Sequence, residues 1–363
     1  MRFQASFSNS SLFILRHGYL VDFLFVYVDD IVLTGNNPQF LHSLIAQLSV
    51  VLELKDLGPL NYFLGLQITK TEKGLLVTQT KYAQDLLLRV NMHTSKPART
   101  PCAPNTRLFP TDGASLSNPY EFRSLVGSLH YLTFTRPNIN FAVQQVFQFM
   151  SNPTDLHLIV AKRILRHVHG TLHHGVFLQP GPLSLSAFFD SDWAGDPYDR
   201  HSITGYIVYL GYNPITWSAK KQDTISRSST ESEYRALATT ATELYWLRQV
   251  LRDLGVFLPV PPKLWCDNVL ALAIASNLVF HARTKHIEVD YHFVKEKVLR
   301  KDLQVKYTTT SDQLADVFTK SLPTSRFAFL HSKIMVSVDP MVLRGDVKGS
   351  TETQKLKIEE EDS

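Results

Sequence analysis

A chain of 363 residues with 44% hydrophobic and 11% aromatic content can bury sizeable cores, which excludes a disordered chain and implies two or three domains of about 100–200 residues each. Its formal charge of +4 is spread thinly and leans only weakly toward an anionic partner such as nucleic acid. Cys102 and Cys266 are far apart and form no CxxC pair, which excludes a disulfide scaffold and a structural zinc site and points to a reducing, intracellular compartment.

At the N-terminus "SLFIL" is too short for a secretory signal, and the apolar run 23–28 stops at Asp29, well short of the roughly 20 residues a membrane span needs. No membrane partner is expected. From 19 to 92, strand-like runs ("FLFVYV", "IVLTG", "FLGLQITKT", "GLLVTQT") alternate with helix-like ones ("PQFLHSLIAQLSVVL", "KYAQDLLLRV"). Residues 94–119, rich in Pro, Ser and Thr, read as a connecting loop. Two amphipathic helical stretches follow, the first broken near Arg136-Pro137. The next region opens with three strands ("LSLSAFF", "SITGYIVYLG", "NPITWSA") and a long helix over about 230–254. It continues with strand "KLWC", helices "NVLALAIAS" and "EVDYHFVKEKVLR", strand "LQVKYTT" and a short helix "DQLADVFTK", a mixed-sheet α/β pattern. The polar end from Val338 is expected to be loose.

Several acids sit where chemistry is plausible. Asp29 and Asp30 interrupt the most strand-like stretch, either as hairpin-turn residues or as adjacent carboxylates sharing Mg²⁺. On the long helix, Glu233 continues the apolar stripe of Leu237, Thr240, Leu244, Leu247, Leu251 and Leu254, so it is solvated at a sheet edge or coordinates something. Glu231 is rotated away and completes a capping pattern with Ser228, which leaves it as a reserve. Asp190 ends an apolar strand, competing with Asp192 and Asp196 in "DSDWAGD"; Asp267 is either an N-cap or a ligand; Asp316 is either a solvent-facing charge or a ligand. The basic run Lys162, Arg163, Arg166, His167 and His169 is either a solvated face or a phosphate-tracking surface. No Gly-rich phosphate loop and no GxSxG elbow is present.

"YVDDIVLTG", "LKDLGPLNYFLGLQI", "KYAQDLL" and "FRSLVGSLHYLTFTRPNINFAV" closely resemble the reverse-transcriptase region of copia-type long-terminal-repeat retrotransposon polyproteins. "AKRILRHVHGT", "SDWAGD", "ITGYIVYLG", "STESEYRALA", "LWCDN", "KHIEVDYHFVKE" and "QLADVFTK" resemble the same polyprotein's ribonuclease H, and the match runs in order from about residue 11 to 336. The resemblance implies an α/β (α+β) chain in five parts. These are the C-terminal part of a polymerase palm (1–93), a linker (94–119), a helical thumb or connection (120–180), a ribonuclease H-like mixed five-stranded sheet flanked by helices (183–323), and an extension (324–363) with a disordered end.

By the same resemblance, Asp190, Glu233, Asp267 and Asp316 match the metal-binding quartet of ribonuclease H, taking two Mg²⁺ or Mn²⁺ ions to cleave the RNA of RNA–DNA hybrids. Asp29 and Asp30 match the catalytic and metal-binding pair of the polymerase palm, whose first aspartate lies in an upstream motif, so no independent DNA synthesis is expected. Lys162, Arg163 and Arg166 are the candidate nucleic-acid contacts, and other Pol segments or further copies are candidate partners. The family works in the cytoplasm and delivers DNA to the nucleus. One departure is the loop after the last strand, Thr308 to Thr310, where many cellular ribonucleases H carry a histidine; His281, His286 and His292 receive no catalytic role. The alternative is a truncated element remnant that catalyses nothing.

Overall fold

Apolar runs bounded by turn residues pair with their nearest neighbours at the start of the chain. Strands β1 (Gln4–Ala5), β2 (Leu12–His17), β3 (Leu20–Tyr27) and β4 (Asp30–Gly35) form an antiparallel meander. Helix α1 (Pro38–Val51) starts where the Asn37 side chain accepts from Phe40 N and Pro38 occupies the first turn. It lays Leu41 and Ile45 on Ile31 and Leu33 of β4, closing a small separate core. Strand β5 (Leu54–Pro59) completes this unit. The computed structural model describes residues 3–276, 287–337 and 353–358. His281, His286 and most of the end expected to be loose therefore lie outside the described residues.

The next elements are β6 (Tyr62–Phe63), β7 (Leu66–Thr71), β8 (Gly74–Thr78) and α2 (Thr80–Arg89). They join α3 (Pro119–Leu132), α4 (Asn140–Phe147), α5 (Asp155–His169) and β9 (His174–Leu178), because β8 pairs with β9 across nearly a hundred residues of chain. Residues 94–118 contain no helix or strand, as expected of a loop, and α3 begins at the last residue of the expected linker; yet Cys102 and Leu108 are buried in the core that these helices share. The break after Leu132 is real: Pro137–Ile139 forms one 3-10 turn before α4 begins.

The mixed sheet contains β10 (Leu185–Asp192), β11 (Ile203–Leu210) and β12 (Asn213–Lys221), followed by α6 (Ser229–Asp253), β13 (Lys263–Cys266), α7 (Val269–Ser276), α8 (Glu288–Leu299) and β14 (Gln304–Tyr307). Its order is β12-β11-β10-β13-β14, with the β10–β13 and β13–β14 pairs parallel. Side chains alternate between faces along each strand. Val208 packs with Leu237, Leu244 and the rest of α6, whereas Ile203 and Ile207 pack on the opposite face with Phe122, Leu125 and Val143 of α3 and α4. One core thus runs across the expected boundary at 183. A short 3-10 helix (Leu314–Phe318) and α9 (Thr324–Ile334) follow, then β15 (Val336–Ser337), which pairs with β9, and β16 (Thr353–Ile358), which lies between β4 and β5. Among the described residues no helix is long and apolar enough to cross a membrane.

Where α9 meets α5 and β9, buried His167 lies beside half-buried His174 and His331. His167 offers Nδ1 to Ala98 O at 3.1 Å and Nε2 to the Asn138 amide at 2.9 Å, an arrangement satisfied by the neutral ring. His331 stacks on His174 at 5.0 Å, and Arg136 is fully buried nearby. Burial above all, with the neighbouring cations, pushes His167 down to about 3 and His331 to about 4 from 6.5. These folded values lie below the unfolded one, so the stability they contribute is present above about pH 6.5 and is lost as pH falls toward 4. Urea midpoints at pH 7, 6 and 5 are expected to fall steeply, and His331→Met to flatten that dependence by up to about 1.4 kcal/mol per pH unit. Equal slopes in the two proteins would contradict the assignment.

Candidate metal centre

Adjacent parallel strands end at the same height. The register pairs Phe188 with Trp265, so two residues further on the β10 carboxylate, Asp190, and the first residue past β13, Asp267, face one another at the carboxyl end of the sheet. Over this end lies the first part of α6, whose N-cap Ser228 accepts from Glu231 N. The helical stripe then turns Glu233 inward. One carboxylate oxygen from each of Asp190, Glu233 and Asp267 lies within 4.8 Å of the others.

Asp190 and Glu233 are only 3% and 6% exposed, and Asp267 is half-buried. Ser191 N donates to Glu233 Oε1 at 3.3 Å, while Glu233 Oε2 is buried with no partner. Burial, followed by the Asp190 and Asp267 charges, raises the Glu233 carboxyl well above its ordinary range. Asp267 accepts from Thr310 Oγ1 at 3.2 Å and from Gln313 Nε2 at 3.4 Å; the fully buried Gln313 amide also donates to Phe189 O at 2.9 Å, tying the loop to β10. Glu231 is occupied elsewhere: its carboxylate accepts from Arg227 N and from the Arg235 guanidinium at 2.9–3.2 Å.

Asp316 lies outside the three-acid group. It sits on the 3-10 helix across Lys320 from Asp190: Lys320 Nζ is 3.1 Å from Asp190 Oδ2 and 2.9 Å from Asp316 Oδ1. Arg326 of α9 takes the other Asp316 oxygen at 3.0 Å. Burial works against the Lys320 charge, but Asp190 and Asp316 outweigh it and hold the ammonium above its ordinary range. Thr319 Oγ1 donates to Asp190 Oδ2. This approach needs Gly205, which pairs with Asp190 across β10 and β11: a Cβ there would come within 2.6 Å of Phe318 and Thr319 side-chain atoms. Lys320, Thr319 and Gln313 were not singled out from sequence. Lys320 stands four residues after Asp316 inside a motif already marked, a signal that would have found it; Gln313 carries none.

Asp29 and Asp30 sit at the tip of the β3–β4 hairpin, where Tyr27 faces Asp30 across the closing pair. Both are half-buried. The turn residue Val28 has φ 52°, a strained left-handed conformation for a β-branched side chain. Among the described residues no third acid joins them in a metal-sized cluster.

Residues 1–104 match the family model described as reverse transcriptase (RNA-dependent DNA polymerase). The chain is 48% identical over 339 residues to the Pol polyprotein of transposon RE1 from Arabidopsis thaliana, covering 93% of this chain and 23% of that protein. It is 36% identical to the Pol polyprotein of transposon TNT 1-94 from Nicotiana tabacum, over 84% and 24% of the two. A putative transposon Ty5-1 protein of Saccharomyces cerevisiae is 30% identical over 61% of this chain and 73% of its own length. The chain belongs to the copia-type retrotransposon Pol family. It spans under a quarter of the RE1 and RE2 polyproteins' length. A solved ribonuclease H1 isolated from compost aligns at TM-score 0.30 and 15% identity, over 38% of this chain and 93% of that one.

In this Pol segment the basic run is engaged with its own chain. Arg163 donates to Thr100 Oγ1 at 3.0 Å, Arg166 to Lys96 O at 2.6 Å, and Lys162 pairs with Glu121 at 3.3 Å. His169 reaches Ser95 O in the same way. Through these bonds Arg163 and Arg166 hold residues 94–119 against α5. Arg166→Ala is expected to lower stability by about 1–2 kcal/mol while leaving the salt dependence of nucleic-acid affinity unchanged. A reduced salt slope with unchanged melting temperature would instead assign Arg166 to phosphate contact.

Proposed function

We propose that residues 183–323 hydrolyse the RNA strand of RNA–DNA hybrids with Mg²⁺ held by Asp190, Glu233 and Asp267. The observation that carries this reading is the convergence of three carboxylates from separate elements, with one buried oxygen left without a partner. Like charges brought together this closely favour a bound cation, and hard carboxylate oxygens suit Mg²⁺ or Mn²⁺. When bound, such an ion prepares a water for attack on the phosphodiester and stabilises the departing oxygen. The chain's own groups set the geometry: Ser191 N fixes one Glu233 oxygen, and Gln313 and Thr310 orient Asp267. Discrimination of RNA from DNA would rest on the 2′-hydroxyl and groove shape, so cleavage is expected to ignore base sequence.

Membership of the Pol family supports nucleic acid as the substrate class, and the hairpin with Asp29 and Asp30 supports a polymerase-palm origin for residues 1–93. Templated DNA synthesis by this chain alone is not part of the proposal; primer extension by the purified chain would refute that position. The deciding experiment is Mg²⁺-dependent cleavage of an end-labelled hybrid by the whole chain. Cutting that EDTA stops supports the nuclease; intact hybrid at high enzyme concentration would leave the non-catalytic remnant as the better reading.

A further inference from the structure

Asp190 faces two places at once. On one side stand Glu233 and Asp267, which with Asp190 make a group of three carboxylates and include an unpartnered Glu233 oxygen. On the other side stands Asp316, and there two carboxylates meet two cations, Lys320 bridging Asp190 and Asp316 and Arg326 holding the remaining Asp316 oxygen. The first place attracts a divalent ion; the second is already neutralised. We propose that the Lys320 ammonium fills the second cation place of this centre, so that without nucleic acid the chain takes one divalent ion, and that Lys320 must leave before a second can enter. This rests on the metal-binding reading above and goes beyond it, because it makes a lysine the gate to the full ion complement that the sequence motifs imply.

The two basic groups differ in freedom. Arg326 is anchored by three further bonds, to the carbonyls of Ser311, Thr310 and Gln313, and is mostly buried. Lys320 makes its two ion pairs through the ammonium of a flexible four-carbon side chain that is 39% exposed, so the charged end can swing toward solvent or toward a phosphate without breaking the fold. Its contacts to Asp190 and Asp316 are ordinary ion-pair distances, and they put nitrogen where an ion shared by those oxygens would have to sit. A phosphodiester entering the centre offers Lys320 an alternative anion and, in the same movement, exposes Asp316 and the far side of Asp190.

The test is a Mn²⁺ titration of the whole chain, counting free ion by its electron paramagnetic resonance signal, with melting temperature in EDTA as the folding control. Wild type is expected to bind one Mn²⁺ tightly. Lys320→Met and Lys320→Gln are expected to bind two, the second at least about tenfold tighter than in wild type, whereas Lys320→Arg keeps one. Two ions of similar affinity in wild type, or a single ion in both folded Lys320→Met and Lys320→Gln, would overturn the proposal. The two levels separate cleanly: wild type binding no Mn²⁺ removes the metal centre and the gate together, while one ion in every variant removes only the gate.

Discussion

Asp190→Asn is expected to slow Mg²⁺-dependent cleavage of hybrid RNA by about 10²–10³-fold or more with the fold unchanged. Asp190 is the one acid that belongs to both halves of the centre, grouped with Glu233 and Asp267 on one side and ion-paired with Lys320 on the other. Asparagine keeps its shape and can still accept the Thr319 hydroxyl, so packing around the buried site survives. What disappears is a full negative charge at the point where cation ligation converges. Single-turnover cleavage of labelled hybrid, with circular dichroism to verify folding, measures the effect. Equal rates for Asp190→Asn and wild type would sink the site assignment.

Glu233→Gln is expected to do two opposite things. It should abolish cleavage, and in EDTA it should make the protein more stable by about 0.5–2 kcal/mol, since a site built for function stores repulsion that substitution relieves. The glutamine can still accept from Ser191 N. The pH dependence follows with a definite sign. Burial and the two aspartates raise the folded Glu233 value above 4.5, so the folded state holds its proton more tightly than the unfolded chain. The stability tied to that proton is present below about pH 4.5 and is lost as pH rises through the folded value. In Glu233→Gln this fall is absent, and Mg²⁺ no longer raises the melting temperature. Urea titrations in EDTA across pH 4 to 8, repeated with Mg²⁺, check both parts; a destabilised variant would mean that Glu233 is a structural residue whose oxygen merely lacks a neighbour.

Much of this architecture is local in origin. The break at Arg136-Pro137, the long α6 and the three opening strands of the mixed sheet were legible because proline geometry and hydrophobic period act over a few residues. The stripe that turns Glu233 inward, and the capping that occupies Glu231, were legible for the same reason. The role of residues 94–119 was not. Their Pro- and Ser-rich composition reads as a connector, but Cys102 and Leu108 enter the core and α5 supplies arginine and histidine to hold the backbone.

By itself the sequence determined which acids stand at strand ends and helix starts, since periodicity and capping depend on residues within about a turn of each other. Tertiary structure decided how those acids divide. It placed Asp190, Glu233 and Asp267 around one point and set Lys320 and Arg326 on Asp316, because electrostatic partners meet through strand register and through the close approach that Gly205 permits, neither of which leaves a local pattern.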